Sequence, residues 1–100
     1  MIDHSNTNLE AQRKLLLEID AKLIGLLNER ALISKEIGDF KIKNNIEIYQ
    51  TDYWQKAQLI RNNVIATTCL NDKITNDIFE LIHQQSLLIQ EDILKQKDEQ

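Results

Sequence analysis

Arg13, Arg30 and Lys41 interrupt an otherwise apolar helical pattern in the first half of the chain, and Ser86 and Gln90 do the same near its end. Guanidinium and ammonium groups hold carboxylates, and a hydroxyl and an amide add neutral hydrogen bonds, so this set suits a small polyanion. At a rise of about 1.5 Å per residue, Arg13 and Arg30 stand roughly 26 Å apart on a straight helix, too far for one small ligand to touch both. Arg30 and Lys41, about 16 Å apart over nearly three turns, share a face, and their long side chains could converge on one anion. Arg13 joins them only if the helix folds back or a second copy supplies it. The spacing therefore points to a composite site in a dimer.

Each residue also has a plainer reading. Arg30 alone fits a surface ion pair with Glu29 or Glu36, and Lys41 alone fits a solvated side chain. Ser86 and Gln90, four residues apart on one helix face, fit an internal polar pair bonded to backbone or water. The chain offers no nucleophile–base pair, paired-carboxylate signature, metal-ligand cluster or glycine-rich phosphate loop. An enzyme built from these residues would work by positioning and electrostatics. The single cysteine, Cys69, reads as a small, partly buried residue near a turn. His4 falls at an end expected to be disordered and His83 in a helix, both without metal partners.

The elements that must carry these residues are helical. The sequence holds no proline, two glycines and 5% aromatics, which denies a sheet its usual turn chemistry. Leu9, Leu16, Ile19, Leu23, Leu26, Leu27, Ile33, Ile37 and Phe40 recur at three- and four-residue steps, the mark of an amphipathic helix. Ser5 or Asn6 is the expected N-cap, and the pattern runs to about Lys43, far longer than an ordinary globular helix. Gly25 and Gly38 lie inside it, tolerated by close helix approach or by chance. Lys43–Glu47 reads as a loop. Thr51 or Asp52 then caps a second helix to about Ala66, with Trp54, Ala57, Leu59, Ile60 and Val64 as apolar contacts. Asn71 or Asp72 opens a third, through Ile74, Ile78, Phe79, Ile82, Leu87, Ile89 and Ile93.

One hundred residues make one domain, with 1–7 and 96–100 expected to fray. Hydrophobic content of 42% argues against disorder. A net charge of −4 without a basic patch argues against a nucleic-acid partner. The polar Met1–Asn8 stretch lacks signal-peptide character, and no apolar run reaches a membrane span, so a cytoplasmic protein is expected.

The order of these residues resembles the all-helical chorismate mutases, over about Leu9 to Gln90. The resemblance is carried by Arg13 with Ile19-Asp20, by Leu23-Ile24-Gly25-Leu26-Leu27-Asn28-Glu29-Arg30 and by Ile37-Gly38-Asp39-Phe40-Lys41. Late in the chain Ile78-Phe79-Glu80-Leu81-Ile82-His83-Gln84-Gln85-Ser86 and Gln90 continue it without a gap. It implies an all-α fold of three helices, one very long, one shorter and one long, intertwined in a homodimer with shared active sites and no cofactor. It also implies the Claisen rearrangement of chorismate to prephenate. Arg30, with Arg13 of a second copy, would bind the substrate's carboxylates. Lys41 and Gln90 would donate to its ether oxygen, and Ser86 would help hold a carboxylate.

The start of the second helix departs from the family's common Asp-x-x-Arg-Glu. The aligned residues are Gln50-Thr51-Asp52-Tyr53-Trp54, in which Gln50 and Trp54 resemble a tolerated variant and Tyr53 replaces the arginine. Gln50, Tyr53 and Trp54 are thus expected at the ring end of the substrate. Tyrosine donates one hydrogen bond but carries no charge, and losing a charge-assisted contact costs about 1.5–3 kcal/mol. The departure keeps two alternatives in view. One is a related pericyclic enzyme, an isochorismate pyruvate lyase or a 4-amino-4-deoxychorismate mutase. The other is a catalytically silent regulatory or dimerisation module.

Overall fold

The computed structural model describes residues 4–98, with side chains from residue 8 onward. Three helices follow in order: α1, His4–Lys43; α2, Thr51–Ile65; and α3, Asp72–Asp98. The fold is all-α, with a long first and a long last helix. By internal contacts the chain divides into one unit ending at Arg30 and a second beginning at Ala31. Among the described residues the first unit is helix only. The second holds the remainder of α1 with α2 and α3.

The long period-3.6 stripe yields one continuous helix of 40 residues, as its sequence demands. Ser5 and Asn6, expected to cap it, already lie within the helix, and their side chains and that of His4 fall outside the described ones. The other end is closed by local chemistry. Asn45 takes a left-handed backbone, φ 56°. Its N–H bonds the Ile42 carbonyl (3.4 Å) and the Ile46 N–H bonds the Lys41 carbonyl (2.8 Å). This paired closure is a Schellman motif, and asparagine is the residue after glycine best suited to its left-handed position. Lys41 and Lys43 in the last turn favour the negative end of the helix dipole.

α2 begins at Thr51, with Gln50 at the N-cap position. Neither Thr51 nor Asp52 caps it, and Gln50 makes no side-chain cap bond. Its amide Nε2 turns back to the Glu47 carbonyl instead (3.0 Å). Asp52 in the first turn still suits the positive end of the dipole. The connection to α3 is held by its threonines: Thr67 and Thr68 hydroxyls donate to the Val64 and Ile65 carbonyls (2.7 and 2.6 Å). Cys69 in this turn is exposed, not partly buried. Asn71 caps α3 as expected, its Oδ1 accepting from the Ile74 N–H (2.9 Å).

Packing within the second unit is of two kinds. α2 meets α3 through rings: Trp54 stacks on His83 with centroids 4.0 Å apart, and the Arg61 guanidinium lies over both Trp54 and Phe79. α1 meets α3 at Gly38, the one helical glycine whose absent side chain matters here. A Cβ there would stand 3.0 Å from Gln90 Cγ and 3.3 Å from Ile93 Cδ1. Gly25, by contrast, faces open space.

The apolar stripe of α1 finds little cover in a single chain. Leu16, Leu23, Leu26, Ile33, Ile37 and Phe40 are all exposed, as are Leu59, Ile60 and Val64 of α2. Among the described residues the buried hydrophobic side chains are Ile48 and Ile65. Apolar exposure on this scale is consistent with a surface that associates with another chain.

Candidate active site

Two side-chain bonds join α1 to α3, one on each side of Gly38. Ser34 Oγ donates to Ser86 Oγ (2.9 Å). Lys41 Nζ donates to Gln90 Oε1 (3.0 Å) and to the Ile48 carbonyl (2.7 Å). Seven residues separate Ser34 from Lys41 and four separate Ser86 from Gln90, so each pair keeps to one helix face. Residue numbers rise together across both bonds, so these stretches of α1 and α3 run in the same sense. The expected Ser86–Gln90 pair is therefore real as a shared face, but each member bonds across to α1 rather than to its own backbone.

The lysine settles which way the Gln90 amide points. An ammonium has no acceptor capacity, so the atom facing it is the amide oxygen. The Nε2 donors then point away from Lys41, and Gln90 itself is buried. Ser34, also buried, carries no distinguishing signal in the sequence, although it falls four residues after Arg30 and seven before Lys41 on the same stripe. The two hydroxyls share one hydrogen bond, so one proton of the pair is left for another acceptor. Lys41 is half-buried, and desolvation lowers its pKa below the ordinary lysine value of 10.5.

The remaining expected residues are placed differently. Arg13 and Arg30 are exposed on the one continuous helix, and among the described residues neither takes part in an ion pair. The plainer reading of Arg30 as partner of Glu29 or Glu36 thus has no bond behind it. Gln50 is held by the Glu47 carbonyl. Tyr53 is 68% exposed. Trp54 has its ring engaged on His83 and Arg61. None of these three is bonded to Lys41, Ser86 or Gln90 among the described residues.

An open cleft of about 490 Å³ lies next to Lys41, lined by Ile46, Ile48, Tyr49, Glu91 and Leu94 among others. Ser86 and Gln90 do not line it, so it is not where the donors of the cluster converge. No group of His, Cys, Asp and Glu able to hold a metal occurs among the described residues. No described helix is long and apolar enough to cross a membrane.

Gly38→Ala tests how tightly the cluster is set. At 3.0 Å from Gln90 Cγ the new methyl makes the glutamine or the helix give by a few tenths of an ångström, a strain of about 1–3 kcal/mol that is expected to outweigh the roughly 1 kcal/mol alanine gains in helix propensity. Chemical denaturation should register that loss, and ligand binding should weaken with it. An unchanged midpoint would mean that α3 yields freely at this point.

The fold and cluster together define a small three-helix protein whose donors are an ammonium, an amide and hydroxyls, suited to holding an anionic ligand rather than attacking it. The family follows from comparison with known sequences. The chorismate mutase type II family model matches residues 12–91, and the chain belongs to that family. A comparison with curated proteins gives no match. Family membership points to chorismate mutase-type activity, and the match spans every residue of the cluster.

Proposed function

We propose that this protein is a chorismate mutase that works as a homodimer without a cofactor. The observation that carries the reading is the Lys41–Gln90 bond, which presents two donors side by side, one charged and one neutral, with the amide orientation set by the lysine. The rearrangement breaks a C–O bond as it forms a C–C bond, and negative charge builds on the ether oxygen. Donors already aimed at that oxygen stabilise the transition state more than the ground state. Arg30 and Arg13 of the partner subunit clamp the two carboxylates and select the folded reactive conformer. Ser86 supports a carboxylate. The exposed apolar stripe of α1 and the roughly 26 Å between the two arginines both favour assembly with a second copy.

The direct test follows chorismate by ultraviolet absorbance and assays the products for prephenate and pyruvate. Prephenate without pyruvate is expected. Tyr53, uncharged and exposed where the family commonly carries arginine, is the observation that favours a modified substrate. Turnover of isochorismate or 4-amino-4-deoxychorismate in place of chorismate would move the assignment to those reactions. Silence on all three would leave a non-catalytic module.

A pH profile separates Lys41 from Gln90. The amide donates without a proton to lose, whereas the ammonium is lost as pH rises through a value lowered from 10.5. Activity should therefore hold through neutral pH and fall on the alkaline side earlier than an ordinary lysine would dictate. Stability moves the other way. The folded chain releases this proton before the unfolded one does, so between the lowered value and 10.5 the lysine's contribution to stability rises with pH. Activity that falls only together with unfolding would argue against a catalytic ammonium.

A further inference from the structure

The segment that carries Ile48 is tied to α3 at two neighbouring points. Lys41 Nζ joins the Ile48 carbonyl to the Gln90 side chain (2.7 and 3.0 Å). One residue further along each element, Tyr49 Oη donates directly to Glu91 Oε1. Residue 48 is thus linked to residue 90 through the lysine, and 49 to 91 without an intermediary.

The other polar ties of residues 44–50 are local. The Schellman closure at Asn45 returns to the end of α1, and the Gln50–Glu47 bond stays within the segment. Neither reaches α3. Ile48 is buried, which holds its side chain but leaves the direction of its carbonyl to the backbone on either side. That direction matters to Lys41. An ammonium has three protons. Two are taken by Ile48 and Gln90, and the placement of those two acceptors sets where the third points. Gln90 sits on a helix and Ile48 on a loop, so the loop is the softer of the two supports.

We propose that Tyr49 and Glu91 are positioning residues whose bond clasps the loop to α3, holds the Ile48 carbonyl against Lys41 and so aims the third ammonium proton at the substrate. The inference rests on the role proposed for Lys41. The phenol is suited to the task. Its pKa is raised above 10, chiefly by the hydrogen bond to Glu91, with desolvation and the carboxylate charge adding to it. The shift keeps the hydroxyl protonated, and so a donor, to higher pH than an ordinary tyrosine. Tyr49 is otherwise exposed.

The test compares Tyr49→Phe, Glu91→Ala and Glu91→Gln in the full-length protein. Tyr49→Phe and Glu91→Ala should each lower kcat roughly tenfold with KM little changed, because the ammonium is misdirected while the carboxylate clamp is intact. Combining them should cost no more than either alone, since both break one bond. Glu91→Gln keeps an acceptor oxygen and should stay within about twofold of the parent. A second readout needs no substrate: the ¹H–¹³C signal of the Lys41 ε-methylene, assigned by its loss in Lys41→Arg. It should move toward the position of an exposed lysine in Tyr49→Phe and Glu91→Ala, and remain in place in Glu91→Gln. An unmoved signal and unchanged kcat in Tyr49→Phe would overturn the proposal, as would Glu91→Gln falling as far as Glu91→Ala. If the parent protein turns over no chorismate analogue, the mutase reading fails by itself. The Lys41 signal then decides alone whether the clasp positions the ammonium.

Discussion

Lys41→Met should lower kcat by about 10²–10³-fold, the range lost when one donor to a developing oxyanion is removed. Methionine keeps an unbranched side chain of similar length, so the stem packing between α1 and α3 persists while the charge and its donors go. The effect should fall on kcat rather than KM, because in the proposed mechanism the arginines hold the carboxylates and the lysine acts on charge that appears only in the transition state. The change also strips a donor from the Ile48 carbonyl and from Gln90 Oε1. Gln90 is then free to turn its amide over, which compounds the loss. Steady-state kinetics, with circular dichroism to establish that the helices persist, check this. A variant with kcat near the parent value would remove Lys41 from the reaction.

Mixing two inactive variants should restore activity. In a dimer with shared sites, Arg13→Ala disables a site through one subunit and Arg30→Ala disables it through the other. A heterodimer of the two variants concentrates both changes in one site and leaves the second site intact. Random re-association of equal amounts places half of the chains in heterodimers, each with one of two sites working. About a quarter of parental activity should return. Each variant alone should lose at least about 10²-fold, because a missing guanidinium leaves a carboxylate unclamped and the reactive conformer unselected. If both arginines served the same subunit's site, every heterodimer site would contain a defective subunit's residue and no activity would return. Light scattering on the parent protein gives the companion check. A monomer at micromolar concentration would exclude a shared site, and the exposed face of α1 would need another explanation.

Part of the candidate site is legible in the amino-acid sequence. Lys41, Ser86 and Gln90 stand out because polar residues in an apolar stripe demand partners, and the fold supplies them. Ser34 obeys the same rule and the same spacing, yet a single serine in a helix is too common to attract notice. The Tyr49–Glu91 bond leaves no signal at all. It depends on where the chain goes after Asn45, and a loop's path is set by a few backbone angles that composition does not encode. Gly38 carries an ambiguous signal, close approach or chance, and only the 3.0 Å to Gln90 distinguishes it from Gly25.

What local physics governs can be read from the residues alone. Hydrophobic period, the absence of proline and the asparagine-rich stop set a long helix ending at Lys43, and Asn71 announces the start of α3. The length of helix between Arg13 and Arg30 likewise follows from the rise per residue. What depends on elements meeting cannot be read in this way. Which atom of Gln90 faces Lys41, that Ser86 bonds to Ser34, and that the Trp54 ring is taken up by His83 and Arg61 are facts of helix contact. They turn on the ångström-scale approach of side chains distant in sequence, and a one-dimensional pattern records which face a residue occupies but not what stands opposite it.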